Sequence, residues 1–139
     1  MKRTSAVTLL VLTAAGAALA APAVASATPL PPDGVYVGTD PSGAPVPFWQ
    51  GKTITGGGTA ATNRVLGADV LPAEVYSAPS IATGADVIHV DYGRLSPALG
   101  ALVHDEMTVD PANPNRYTGT VYFVGFGGAA PIGGFVLTR

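Results

Sequence analysis

Four side chains near the middle of the chain could support acid–base chemistry: His89, Asp91, His104 and Glu106. Each pair is two residues apart, so in an extended strand each pair lies on one face. If the two strands pair, an imidazole that titrates near neutral pH stands beside carboxylates, the usual equipment of a general acid or base. The same alternation also describes the solvated outer face of a half-buried sheet. That structural reading is preferred on sequence grounds, with a hydrolase or isomerase using His89, Asp91, His104, Asp105 and Glu106 as the alternative.

Asp105 belongs to the other face of its segment, with Val103, Met107 and Val109. A carboxylate among apolar neighbours is costly unless it is paired, and Arg64 or Arg116 is the expected partner. Trp49, Tyr92 and Tyr117 are open to two readings, as core aromatics or as the walls of an apolar ligand cavity.

Other chemistries lack their motifs. Gly51-Lys52-Thr53 has the ending of a phosphate-binding loop, but Val46 stands where its first glycine is required. No G-x-S-x-G surrounds any serine of the 28–139 stretch. With two histidines, no cysteine and no His-x-x-x-His, neither a metal nor another cofactor is expected. Asp110, Asn113 and Asn115 read as a proline-braced turn rather than calcium ligands.

The elements that must position these residues are short strands. Runs rich in β-branched and aromatic residues, separated by Gly, Pro, Asn or Asp, occur at 48–55, 62–66, 73–77, 86–92, 102–109, 116–126 and 133–138. A further short strand is expected at Gly34 to Gly38, within a proline-rich extended lead-in over 28–47. Gly56-Gly57-Gly58 reads as a hairpin loop. No apolar stripe of helical period persists, apart from one possible turn after Ser96-Pro97. The fold class is therefore all-β, a small antiparallel barrel or sandwich of about eight strands, with a single domain over 48–139.

The first residues carry a basic start (Lys2, Arg3), an apolar run from Ala6 to about Ala21, and Ala25-Ser26-Ala27 as an A-x-A site. Residues 1–27 are read as a signal peptide, which makes the expected location extracellular. Cleavage there leaves 112 of the 139 residues, with five basic side chains against nine acidic ones. The absence of a basic patch argues against nucleic acid as a partner. No stretch makes a comfortable membrane span, and with no cysteine for lipidation no stable membrane anchor is expected.

Over 48–139 the order Trp49-x-Gly51-Lys52, Asn63 to Gly67, Val90-Asp91-Tyr92, Asp105-Glu106 and Tyr117-x-Gly119 resembles a little-characterised group of bacterial domains. Their motifs run W-x-G-K-x-F, N-x-x-x-G, I-x-L-D-Y, R-D-E-I-R and Y-L-G-x-V-Y, and the group is more loosely similar to lipocalin-like barrels. His104, Thr108 and Thr118 depart from that pattern. The resemblance implies a lipocalin-like barrel, with Lys52, Asn63, Asp91, Tyr92, Asp105, Glu106 and Tyr117 at motif positions, and it supplies no catalytic role. Trp49, Lys52, Asn63, Tyr92 and Tyr117 are the candidate contacts to a small apolar or amphiphilic ligand. A surface that meets another protein is a third possibility.

Overall fold

The computed structural model describes residues 27–139; the signal-peptide reading falls almost entirely outside them. Eight strands are joined in chain order, each antiparallel to the next: β1 (Gly34–Thr39), β2 (Trp49–Thr55), β3 (Ala60–Val65), β4 (Ala68–Pro79), β5 (Asp86–Asp91), β6 (Val103–Asp110), β7 (Asn113–Phe123) and β8 (Ala130–Thr138). β8 also pairs with β1, which closes the sheet into a barrel and leaves no edge strand. A single helical turn, α1 (Pro97–Gly100), lies between β5 and β6. No helix among the described residues is long and apolar enough to cross a membrane.

Turn chemistry explains the connections. Leu66 and Gly67 both have positive φ, 52° and 82°, as a two-residue type I′ hairpin turn requires. At the β6–β7 turn the Asp110 carboxylate accepts a hydrogen bond from the Ala112 amide. The proline-rich stretch is more than a lead-in. Its strand β1 is a full member of the barrel, and Pro31 is fully buried. Tyr36 Oη donates to the Pro32 carbonyl, and the Gly58 amide donates to Asp33, so residues 30–33 plug one end of the barrel.

Several element boundaries differ from the sequence expectation. β7 begins at Asn113 and ends at Phe123, because Phe126 adopts φ 62° in a short 3-10 turn. β4 runs from Ala68 to Pro79, accommodating Pro72 where the register against β3 shifts. Pro97 opens α1 as expected, but Ser96 does not cap it; its hydroxyl donates to the Pro72 carbonyl instead.

The interior is built from alternate residues of each strand. Tyr36, Ile54, Val75, Ile88, Val90, Met107, Tyr117 and Leu137 fill its lower half, next to the plug. Toward the open end two large rings, Trp49 and Phe135, meet edge to face at 5.8 Å. Each ring occupies space that only a glycine leaves free. A Cβ on Gly38 would stand 2.3 Å from the Trp49 ring, and one on Gly119 would stand 2.0 Å from that of Phe135.

One irregularity governs the interior. Trp49 and Lys52 are three residues apart, so strict alternation would send them to opposite faces. Between them the β2–β3 register slips, with Trp49 opposite Val65 and Gly51 opposite Arg64. This bulge at Gln50 and Gly51 restores Lys52 to the inside. Gly51 sits at φ 121° with its α-carbon against β1, where a Cβ would lie 2.0 Å from the Tyr36 carbonyl oxygen. Gly51→Ala should therefore destabilise the protein by roughly 2–4 kcal/mol. Gly133→Ala, where an added Cβ meets nothing, should change stability by no more than about 0.5 kcal/mol. Urea denaturation of the two variants measures the difference.

Candidate functional site

The open end of the barrel holds a cavity of about 270 Å³. Val46, Val65, Leu71, Leu99, Val103, Val121 and Phe135 form apolar walls, and Trp49, Lys52, Asn63, Tyr92 and Asp105 provide its polar lining. Strand parity and the β2 bulge place these polar residues. Lys52 comes inward through the bulge, Asn63 through its register with Lys52, and Asp105 through the alternation of β6.

Lys52 is fully buried, and its ammonium spends all three donors: on Asn63 Oδ1 at 2.9 Å, on Tyr92 Oη at 2.7 Å and on Asp105 Oδ2 at 2.8 Å. Tyr92 donates its own proton to Asp105 Oδ2 at 2.7 Å and accepts from Asn63 Nδ2 at 3.0 Å. Trp49 Nε1 donates to Asn63 Oδ1 at 2.9 Å. The ammonium also lies 5.3 to 5.8 Å from the ring centres of Tyr92, Phe135 and Trp49, within cation–π range.

The electrostatics follow from this geometry. Burial alone would drive the Lys52 proton off, but the Asp105 charge and the bonds to Asp105 and Tyr92 outweigh it and hold the pKa above its ordinary value. Burial raises the Tyr92 phenol as well, so it stays protonated and donating. The second oxygen of Asp105 has no hydrogen-bond partner among the described residues. Because no buried side-chain N or O there is left unpartnered, that oxygen is reached from the cavity. It is an acceptor left open toward the cavity.

The expected arginine partners of Asp105 are a correction. Arg64 and Arg116 sit at outward positions of β3 and β7, where they face Asp69 and Asp110 instead. Strand alternation carries both guanidinium groups away from the interior, and the bulge supplies Lys52 in their place. Tyr117 lies deeper, edge to face with Tyr36 at 5.8 Å, and does not line the cavity.

The acid–base candidates divide between the two sides of the sheet. Asp105 is inside, whereas His89, Asp91, His104 and Glu106 are outside. His89 and Glu106 are nonetheless only 3% and 5% exposed, so the solvated outer face expected from alternation is corrected at these two positions. The cause is the β4–β5 turn, which folds back over the sheet. Its Ser80 hydroxyl and Ile81 amide donate to the two oxygens of Glu106 at 2.7 and 2.6 Å. The Tyr76 ring stacks on His89 with its plane tilted by 8°, and its hydroxyl donates to Asp91.

His89 Nδ1 and His104 Nε2 are 2.7 Å apart, and His89 Nε2 is 3.0 Å from the Pro79 carbonyl. A carbonyl can only accept, so His89 Nε2 carries a hydrogen, and in the neutral ring Nδ1 is then the acceptor facing His104. These two rings and Glu106 are the side chains that could hold a metal ion among the described residues. The alternation puts these residues on one face if their strands pair, and the β5–β6 register, with His89 opposite Glu106, brings them together.

No family model matches the chain, and no curated protein or solved structure matches it.

The buried ion pair generates a stability prediction. Lys52→Met leaves the Asp105 charge uncompensated and should cost about 3–5 kcal/mol, while adding Asp105→Leu should recover more than half of that loss. Lys52 and Tyr92 are both raised above their ordinary values of 10.5 and 10.0. Their contributions are therefore complete below about pH 10, and they are lost as the pH climbs through the folded-state values, because the unfolded chain releases these protons first. Wild-type stability should stay level from pH 8 to about pH 10 and fall above it, and the double variant should fall less over the same rise.

Proposed function

We propose that the protein is an exported carrier of lipocalin-like design that holds a small amphiphilic molecule and performs no covalent chemistry on it. The observation that carries this reading is the cavity itself, apolar on its walls and polar at one place only. Its volume of about 270 Å³ falls just below the usual span of ligand sites, roughly 300–1,000 Å³. The guest is accordingly a compact molecule rather than a long acyl chain. Its apolar body contacts Leu99, Val103, Val121 and Phe135, and a hydroxyl or amine on it donates to the open oxygen of Asp105.

The distribution of titratable groups supports binding over catalysis. Lys52, Tyr92 and Asp105 are locked into one another, and the histidines stand on the far side of the sheet. An enzyme using all five acid–base residues requires them to converge in one concave site.

The rim supports an apolar route in. In an up-and-down barrel the odd-numbered connections share one end, and here those connections carry Phe48, Leu66, Leu95, Leu102 and Phe126, all exposed. Phe48, Leu66 and Phe126 are held there at positive φ. Exposed apolar side chains grouped round a mouth are typical of contact with an apolar phase or partner, so the rim also favours a role as a docking surface during loading.

Trp49 is the chain's one tryptophan and stands in the cavity wall, so its emission reports occupancy. Titration with 1-nonanol should shift that emission saturably at one equivalent. Val121→Phe, which fills the cavity, should weaken binding by more than about tenfold with an unchanged far-UV circular dichroism spectrum. An emission that no small alcohol moves, or binding indifferent to Val121→Phe, would contradict the reading.

A further inference from the structure

The outer cluster is independent of the cavity. Sequence composition sharpens its interest: the chain has two histidines and no cysteine, and the fold puts both imidazoles in contact beside a buried carboxylate. We propose that His89 Nδ1, His104 Nε2 and Glu106 Oε1 form a binding site for a zinc-class divalent cation on the outer wall of the barrel, with water completing the coordination.

The donor set fits that class. Two imidazoles and one carboxylate are borderline ligands suited to Zn²⁺ and its neighbours, whereas Ca²⁺ and Mg²⁺ select oxygen. A tetrahedral ion with bonds of about 2.0–2.1 Å needs its donors about 3.3 Å apart. The two ring nitrogens are now at 2.7 Å, and His89 Nδ1 is 3.8 Å from Glu106 Oε1. All three donors lie within 4.8 Å of one another. Coordination therefore needs the two ring nitrogens to part by about 0.6 Å and Glu106 Oε1 to close on His89 Nδ1 by about 0.5 Å.

The surroundings already hold the ligands as a metal site requires. A ligating histidine is normally oriented by a hydrogen bond from its other ring nitrogen to a carbonyl or carboxylate. His89 has that bond, to Pro79, and it leaves Nδ1 as the free lone pair. Glu106 is held by Ser80 and Ile81, and the Tyr76 ring fixes the plane of His89. Without an ion, His104 Nε2–H can donate to His89 Nδ1 as an ordinary hydrogen bond. A divalent cation satisfies both nitrogens and the carboxylate at once, and His104 then carries its hydrogen on Nδ1. Access runs past His104, the half-buried member of the three, since His89 and Glu106 are both buried.

The test is calorimetric titration of the untagged, chelator-treated protein with Zn²⁺, paired with visible absorption after adding Co²⁺. The expected results are one equivalent bound at micromolar affinity or tighter, a higher melting temperature with Zn²⁺, and the d–d bands of tetrahedral Co²⁺. His104→Gln and Glu106→Gln should each weaken Zn²⁺ binding by about 100-fold, and Ser80→Ala by about tenfold. Because His104 is half-buried, His104→Gln is the variant expected to retain the wild-type circular dichroism spectrum. Saturation only at millimolar Zn²⁺, no Co²⁺ bands, or an affinity that a folded His104→Gln leaves unchanged would overturn the proposal. None of these results bears on 1-nonanol binding, so the two readings fail separately.

Discussion

A lysine ammonium inside a β-barrel sets the terms for the rest of this molecule. Stripped of water, it requires three acceptors and a negative charge within hydrogen-bond distance, and it finds them in Asn63 of β3, Tyr92 just past the end of β5, and Asp105 of β6. Those partners fix the relative register of β2, β3, β5 and β6 from the inside. Such a network does not guarantee stability, since an apolar replacement of equal volume can be as good. What it does is reject alternatives: a one-residue slip of any of these strands would expose one partner to water and leave the others unpaired in the core.

The space around the network is made by residues that have no side chain. Gly51 allows the bulge that turns Lys52 inward, Gly38 gives room to the Trp49 ring, and Gly119 gives room to Phe135. The lower half of the barrel is filled by Tyr36, Tyr117 and aliphatic residues and plugged by Leu30 and Pro31. The upper half keeps a cavity, because its polar groups are drawn to one another and away from the mouth. β6 serves both sides of the wall: Asp105 anchors the inner network, and its neighbours His104 and Glu106 face outward into the histidine cluster.

Much of this was legible in the sequence because the alternation is clean. Ile88, Val90 and Tyr92 point inward, His89 and Asp91 outward, and Asp105 is the carboxylate left among apolar residues. The number of strands and the single helical turn were also readable from turn residues. Two things were not. The Lys52 partner of Asp105 was hidden because Trp-x-Gly-Lys read at period two puts its first and last residues on opposite faces, and only the bulge reverses that. The burial of His89 and Glu106 was hidden because it depends on the β4–β5 turn folding over the sheet, a long-range packing event that leaves no local signal at Ser80 or Ile81.

Nitrogen-15 NMR of the lysine side chain reads the burial of this ammonium without any substitution. A solvated lysine exchanges its ammonium protons too quickly to be seen at neutral pH, whereas one with all three donors engaged is protected. One slowly exchanging lysine ammonium signal is expected at pH 7, with nuclear Overhauser contacts to the Tyr92 and Trp49 rings, because Lys52 is the one lysine of residues 27–139. A side chain seen only after acidification, with no contact to either ring, would contradict it.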